Sequence, residues 1–290
     1  MSTIAIVSDS TANLGNVFVR EHGIWMVPLY LRIGDSTYRD GVDITPSQFY
    51  ERLPQCNPLP TTSQPSVGDF TTVYRQALEG GAEGIISVHL SSEISGTVNS
   101  ARLAAEQLPD AAIEIVDTRC AAAAQQIVIE AVAHAAAQGA GFEAACAVAH
   151  EAVAAQRTVF TVDTLEYLYK GGRIGGAAAL FGSLLQVKPL LHFEDGRITA
   201  LERVRKAIRA MERMVEIMEG WLPADAPNRV LIMQAACPER AETLEAVVRR
   251  SRIGIGELEI VPLSPVIGAH VGNGTLGLCC LPMSVWSGKV

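Results

Sequence analysis

The sequence predicts an α/β protein of two α/β domains, with an N-terminal parallel doubly wound sheet followed by a C-terminal α/β domain. Apolar runs of strand length alternate with helical patterns, which is typical of parallel sheets with crossover helices. The strand-like runs of the first half are continuously apolar, as expected for strands buried on both faces. The chain has 290 residues, of which 49% are hydrophobic, enough for one large or two medium domains.

Taken in order, the first half alternates between the two element types. Strands are predicted over 3–8, 25–33, 84–90 and 112–116. Helices are predicted from a polar turn at residues 9–11 to about 22, and over 46–53, 67–78, 98–106, 120–138 and 142–156. Pro65 suits the first turn of the third of these helices. Glycines at 139 and 141 separate the last two, which are alanine-rich and are expected to pack as a pair.

The character of the chain changes near residue 158, which divides it into domains 1–158 and 159–290. Strands are predicted over 159–162, 187–193, 229–235 and 258–263, with helices over 204–221 and 238–250. Residues 194–197 form a hairpin-like turn, and the chain ends in a glycine-rich stretch over 267–278.

Composition excludes several classes of protein. The net charge of −8 argues against nucleic-acid binding, which usually needs a basic excess. The six cysteines form no CxxC pair and the six histidines form no close metal pair, so we expect reduced thiols, a cytoplasmic location and no metal. The N-terminus lacks a basic region, and no run of about 18 apolar residues exists, so neither a signal peptide nor membrane insertion is expected.

Two hydroxyl-rich loops lie where a helix begins, and one of them follows a buried strand directly. One is Leu90-Ser91-Ser92-Glu93-Ile94-Ser95-Gly96-Thr97 and the other is Thr61-Thr62-Ser63-Gln64-Pro65-Ser66. The first N–H groups of a helix have no internal partner and bind anions readily, and a glycine allows close approach. The two loops could therefore converge on one small anion. Alternatively, their hydroxyls are ordinary helix caps.

Three further stretches admit a functional and a structural interpretation. Lys170-Gly171-Gly172-Arg173 could face an anion or stabilise a helix end, and His270, among glycines, could reach a ligand or bond to backbone. A basic cluster could be a solvated face or a docking face for an acidic partner; it contains Arg197, Arg203, Arg205, Lys206, Arg209 and Arg213. The glycines at 272, 274 and 277 match a dinucleotide-binding pattern in letters, but no βαβ unit follows them.

Six motifs, taken in order along the chain, resemble the DegV family. They are Ser8-Asp9-Ser10-Thr11, Thr62-Ser63-Gln64-Pro65-Ser66, Leu90-Ser91-Ser92-x-x-Ser95-Gly96-Thr97, Leu165-x-x-Leu168-x-Lys170-Gly171-Gly172-Arg173-Ile174, Lys188-Pro189 and His270-x-Gly272-x-Gly274. The resemblance implies one unit over about 4–286, with two α/β domains and a long-chain fatty acid enclosed at their interface. Val98 and Asn273 depart from the family pattern, which often has an aromatic residue and a proline there.

The resemblance also implies a function and a site. The protein would carry a palmitate- or oleate-class acid and present it to a fatty acid kinase, with no catalytic residue and no cofactor of its own. Thr62 and Ser95 would hold the carboxylate, assisted by the Gly96 backbone and His270. Ser63, Arg173, Arg203 and Arg205 are expected at the mouth or against a partner. The tunnel wall is expected between residues 174 and 193, with Leu180, Phe181, Leu184 and Leu185 as candidates.

Two other hypotheses compete with this one. Ser95 could be a nucleophile with His270 as its base, in a hydrolase or acyltransferase, although no third group to orient the histidine is evident. The protein could also act chiefly through protein contacts made by the basic cluster, which is compatible with a carrier that docks on a kinase.

Overall fold

The computed structural model describes residues 4–180, 187–224 and 226–286, with only the backbone of Leu180. The first half contains the strands β1 (Ile4–Asp9), β2 (Trp25–Val27), β3 (Tyr30–Ile33), β4 (Ser36–Arg39), β5 (Thr61–Ser63), β6 (Gly84–His89) and β7 (Ala112–Asp117). Its helices are α1 (Asn16–Glu21), α2 (Pro46–Arg52), α3 (Val67–Glu79), α4 (Thr97–Ala105), α5 (Ala123–Ala137) and α6 (Phe142–Ala155). Short 3₁₀ turns cover Ser10–Ala12 and Leu53–Gln55.

The second half again mixes strands and helices. Its strands are β8 (Arg157–Thr161), β9 (Lys188–Glu194), β10 (Arg197–Val204), β11 (Asn228–Gln234), β12 (Ile255–Pro262) and β13 (Leu276–Pro282). Its helices are α7 (Glu166–Lys170), α8 (Ala207–Trp221), α9 (Pro238–Val248), α10 (Pro265–Val271) and α11 (Met283–Trp286), and Gly175–Leu180 is a 3₁₀ segment. Within the described ranges, no helix has both the length and the apolar character that crossing a bilayer requires.

The first sheet has four strands in the order β2-β1-β6-β7, and all of its pairs are parallel. One face packs against α3 and α4 through Val7, Phe70 and Ile85, and the other packs against α5 through Ile6 and Ile86. Helices cover both faces, and the central strands β1 and β6 are accordingly buried at every residue. The predicted doubly wound parallel sheet is confirmed.

The second sheet is mixed, with the order β10-β9-β8-β13-β11-β12. Only β11 and β12 pair in parallel; the other neighbours are antiparallel. The chain after the turn at residues 195–196 forms β10, so the helix expected from residue 204 begins at Ala207 instead. Asp195 and Gly196 both have positive φ, at 48° and 81°, as a tight hairpin turn requires. The turn allows β10 to pair with β9 in antiparallel fashion.

Four strands, β4, β5, β10 and β13, were not predicted, and one predicted strand is divided in two. Strand β13 was not predicted, because Leu276–Pro282 continues a glycine-rich stretch and contains Gly277 and Pro282, residue types that are depleted in strands. The single strand predicted over 25–33 is two strands, interrupted at Pro28, which lacks an N–H donor. The first piece joins the parallel sheet, and the second joins a small antiparallel sheet of order β4-β3-β5.

Helix α5 lies between the two large sheets. Thirteen of its 15 residues are buried, and its alanines allow the neighbouring elements to approach closely. The largest cluster of buried apolar residues contains Ile86 from the first sheet, Ile127 from α5 and Leu231 from the second sheet. Residue 158 falls inside β8, and the division into domains 1–158 and 159–290 stays a prediction.

Candidate functional site

An apolar cavity of about 280 Å³ is lined by both halves of the chain. Its apolar lining consists of Leu29, Leu90, Ile94, Ala121, Ala122, Phe160, Leu168, Phe193, Ile198, Met233, Leu263, Val266, Ile267 and Val271. Its polar lining consists of Thr62, Ser63, Gln64, Ser95, Arg173, His270 and Thr275. An apolar enclosure with a few polar groups is typical of a small-molecule site.

Thr62 and His270 meet at the polar part of this cavity. Thr62 lies on β5, opposite Leu31 of β3, and His270 lies in the last turn of α10. The Thr62 Oγ1 atom is 2.7 Å from the Nε2 atom of His270. When Nε2 carries the ring proton, the ring donates to Thr62, whose own hydroxyl proton is then available to an acceptor such as a carboxylate oxygen.

The His270 ring is partly buried and is uncharged at neutral pH. Burial and the neighbouring Arg173 guanidinium lower the pKa of His270 to about 4. Its Nδ1 atom has no hydrogen-bond partner among the described residues. That nitrogen faces the α-carbon of Gly171, where a β-carbon would overlap it. The glycine of the predicted basic turn therefore makes room for the imidazole.

Arg173 is held by the backbone beside this pair. Its Nε atom donates to the carbonyl of Ile94 at 3.0 Å, and its Nη1 atom donates to the carbonyl of Gly171 at 2.7 Å. These bonds join the basic turn to the loop that carries Ser95, so they place a positive charge close to the polar groups of the cavity.

Ser95 and Gly96 occupy the start of α4, as predicted. The Ser95 Oγ atom lies 2.8 Å from the Thr97 Oγ1 atom and accepts a bond from the Thr97 backbone N–H at 3.3 Å. Gly96 is the N-cap residue, and the Gln64 amide packs so closely on it that a β-carbon would overlap that amide. The two hydroxyl-rich loops therefore lie in contact with each other.

A wider cleft of about 730 Å³ adjoins the polar end of the cavity. Thr62, Arg173 and His270 line both spaces. The outer side of the cleft is formed by Cys56, Tyr167 and Lys170, among others. The three shared residues form the partition between the apolar interior and the surface.

The basic cluster lies elsewhere. Arg203 and Arg205 are exposed and do not line the cavity, and neither has an ion-pair partner within the described part of the chain. Arg209 and Arg213, by contrast, form ion pairs with glutamates, at 2.8 Å to Glu216 and 2.6 Å to Glu202. The cluster is therefore partly neutralised by its own surroundings.

Sequence reasoning missed several lining residues. Gln64 belongs to a quoted motif but was given no role, although its long amide side chain beside a glycine was a usable signal. Phe160, Phe193 and Met233 lie on three strands of the second sheet, and only the pairing of those strands brings them to one face. The wall candidates Phe181, Leu184, Leu185 and the side chain of Leu180 lie outside the described residues.

The geometry does not assemble the alternative nucleophile and base. The Ser95 hydroxyl bonds to Thr97, the His270 ring bonds to Thr62, and no described carboxylate meets the His270 Nδ1 atom. An Asp–His–Ser chain does occur elsewhere, where His89 lies 3.0 Å from Asp9 and 2.7 Å from Ser87. All three residues are fully buried in the first sheet, away from the cavity, so this chain supports the core.

Among the described residues, no three histidine, cysteine, aspartate or glutamate side chains are placed to hold a metal ion.

The glycines at 272 and 274, which match a dinucleotide-binding pattern in letters, allow close packing. Both have positive φ, at 74° and 79°, and a β-carbon would meet the ring of Tyr167 at one and the carboxylate of Asp163 at the other.

Comparison with known proteins identifies the family. A family model described as "Uncharacterised protein, DegV family" matches residues 3–283. DegV domain-containing protein SCO2569 of Streptomyces coelicolor is 41% identical over 275 residues, which are 95% of this chain and 97% of that protein.

Solved structures agree with this assignment. A DegV family protein of Thermus thermophilus, described by its fatty acid binding, has a TM-score of 0.92 and 34% identity, over 96% of this chain and 99% of that one. A stearic acid-binding protein of Eubacterium ventriosum has a TM-score of 0.87 and 28% identity, over 98% and 99% of the two chains. The motifs, the fold and the match over nearly all of the sequence together show that this chain belongs to the DegV family.

Proposed function

We propose that this protein binds one long-chain fatty acid of the palmitate or oleate class, with the acyl chain in the apolar cavity and the carboxylate on Thr62 and Ser95. The observation that carries the proposal is the Thr62–His270 hydrogen bond at the polar end of an otherwise apolar cavity. Fatty acid binding by the Thermus thermophilus protein and stearic acid binding by the Eubacterium ventriosum protein support it.

The energetics suit an acyl ligand. Burial of a methylene is worth about 0.8 kcal/mol, so a palmitate-sized chain gains roughly 10 kcal/mol before the costs of binding. The head group then needs orientation more than attraction. The neutral hydroxyls of Thr62 and Ser95 can donate to a carboxylate, and neutral His270 orients the first of them.

The first test of this proposal removes the two hydroxyls. We expect Thr62→Ala and Ser95→Ala each to weaken binding of oleate or palmitate by about 1–2 kcal/mol, roughly tenfold, because each removes one hydrogen bond to the carboxylate. Calorimetry on lipid-free protein measures the affinity, and native mass spectrometry with lipid extraction identifies the acid retained from the cell.

The matched control is Thr243→Ala, which removes an exposed hydroxyl of α9 whose partner among the described residues is the Glu239 carbonyl. Its affinity should equal that of the wild type. A folded double variant of Thr62 and Ser95 with unchanged affinity would contradict the site assignment, whereas a wild-type protein that binds no fatty acid would contradict the function itself.

We further propose that the protein is a carrier, without a catalytic residue or a cofactor of its own, that presents the carboxylate to a fatty acid kinase. The wide cleft outside Thr62, Arg173 and His270 supports this role, because a partner can approach the head group there while the chain stays enclosed. Arg203 and Arg205 are candidates for the docking contacts, since both are exposed and lack ion-pair partners among the described residues.

Charge reversal tests the docking contacts. The variant Arg203→Glu/Arg205→Glu should bind a fatty acid kinase from the source organism more weakly, with a difference that shrinks at high salt, because exposed charges steer association. Its affinity for fatty acid should not change. Arg250→Glu, an exposed reversal on another part of the surface, is the control. Equal kinase binding by the double variant and the control would refute this role.

A further inference from the structure

A second cavity adjoins the apolar one at Phe193. It measures about 520 Å³ and is lined by Arg157, His192 and Trp221, among others. Phe193 lines both cavities. No residue of the second cavity lines the cleft outside Thr62 and His270. The apolar cavity therefore lies between two spaces that are open to solvent: the surface cleft at its polar end and the second cavity beyond Phe193.

Phe193 lies between the apolar cavity and the second cavity. It pairs with Ile198 across the β9–β10 hairpin, and both side chains line the apolar cavity. Its ring centroid lies 5.9 Å from that of Phe160, so two aromatic rings stand side by side on this wall. The preceding residue, His192, points to the other face of the sheet, where its ring lies 6.0 Å from that of Trp221.

The backbone that carries Phe193 is anchored to the first half of the chain. The Ser91 hydroxyl donates to the Gly196 carbonyl at 2.8 Å, and Arg197 forms an ion pair with Glu93 at 2.7 Å. Arg119 also donates to the carbonyl of Asp195. Because the hairpin tip is held at three points, the separation of the two spaces depends on the side chain at position 193 more than on movement of the strand.

We propose that Phe193 is a specificity-determining residue that sets the upper limit on acyl chain length by closing the passage into the second cavity. This inference rests on the proposed function, since it assigns a chain-length limit to the same fatty acid site. With the carboxylate at Thr62 and Ser95, the chain runs away from the surface cleft, and its methyl end meets the Phe160–Phe193 wall. An acid too long for the cavity must displace that ring or leave methylenes unburied.

The test compares saturated fatty acids of increasing length on the wild type, Phe193→Ala and Phe160→Ala. Phe160 lines the apolar cavity but not the second one, so its loss widens the site without opening the passage. We expect the preferred acid to be longer for Phe193→Ala by at least two carbons. Affinity for the longer acid relative to palmitate should rise about tenfold, since two more methylenes become buried. Phe160→Ala frees a similar volume at the same wall but leaves Phe193 in place, so its preferred acid should be shorter than that of Phe193→Ala.

The outcomes separate the two proposals. A Phe193→Ala protein with the same length preference as Phe160→Ala, while both still bind fatty acid, overturns the limit set by Phe193 and leaves the function standing. A wild-type protein that binds no acid of any length overturns both. Phe193→Leu and Phe160→Leu repeat the comparison with smaller losses of packing, should either alanine variant fail to fold as judged by circular dichroism.

Discussion

At the scale of single residues, the site depends on a contact between Thr62 and His270, which are 208 positions apart. Each was predicted as a carboxylate contact, but the bond between them was not. A threonine before a helix and a histidine among glycines each have an ordinary structural role when considered alone. The 2.7 Å hydrogen bond between them couples the two side chains, because the imidazole ring determines the direction of the Thr62 hydroxyl proton.

The burial of His270 predicts a pH dependence of stability. The pKa of His270 is about 4 in the folded protein and about 6.5 in an exposed histidine. Between pH 6.5 and 4 the unfolded chain therefore binds a proton at this residue, whereas the folded protein does not. The free energy of unfolding should therefore fall as the pH drops from 6.5 to 4, by up to about 3 kcal/mol from this group. Urea denaturation of lipid-free protein across that range measures the loss.

The variant His270→Gln isolates this contribution. Asp40 acts in the opposite direction, because burial raises its pKa to about 7 and its stabilising effect is lost as the pH rises through that value. The informative quantity is therefore the difference in free energy of unfolding between the variant and the wild type. As the pH falls from 6.5 to 4, the variant should lose less stability than the wild type. Parallel curves would show that His270 titrates normally.

At the scale of elements, α5 is fastened to the second sheet by a buried ion pair. Arg229 of β11 donates to Glu130 of α5 through Nε at 2.9 Å and Nη2 at 3.0 Å. Arg229 also contacts Glu259 of the neighbouring strand β12. The side chains of Arg229 and Glu130 are 8% and 4% exposed, so loss of one partner leaves an uncompensated charge in the interior.

This geometry predicts that Arg229→Met lowers the free energy of unfolding by about 3–5 kcal/mol. The double variant Arg229→Met/Glu130→Leu should recover most of that loss, because it leaves no buried carboxylate unpaired. Arg249→Met is the control: it removes an exposed pair with Glu245 on α9 and should cost about 1 kcal/mol or less. A double variant no more stable than the single one would show that the pair itself stabilises the joint between helix and sheet.

Whether a strand was predicted depended on its pattern of residues. The parallel strands β1 and β6 were predicted because an unbroken apolar run that ends in a polar loop is typical of a strand buried on both faces. Strand β13 was missed because its glycine and cysteines resemble neither an alternating strand nor a helix face. Its identity as a strand comes from β8 and β11, which pair with it on both sides.

At the scale of the whole molecule, the cavity exists because two sheets and α5 share one core. Leu90 and Ala121 follow strands of the first sheet, whereas Phe160 and Met233 lie on the second sheet, and all four line the cavity. The carboxyl ends of parallel strands are the usual place for ligands in such sheets. Here the second sheet supplies the apolar wall opposite those ends, so neither sheet encloses the cavity alone.

The sequence by itself determined the fold class, the family, and the polar residues Thr62, Ser95, Arg173 and His270 that gather at the cavity. These features are local: a loop motif at a helix start carries its chemistry in a few consecutive residues. Only the tertiary structure decided the Thr62–His270 bond, the apolar wall and the place of Phe193 between two cavities. Those depend on strand pairing and close packing between residues far apart in the chain, which no short stretch of sequence encodes.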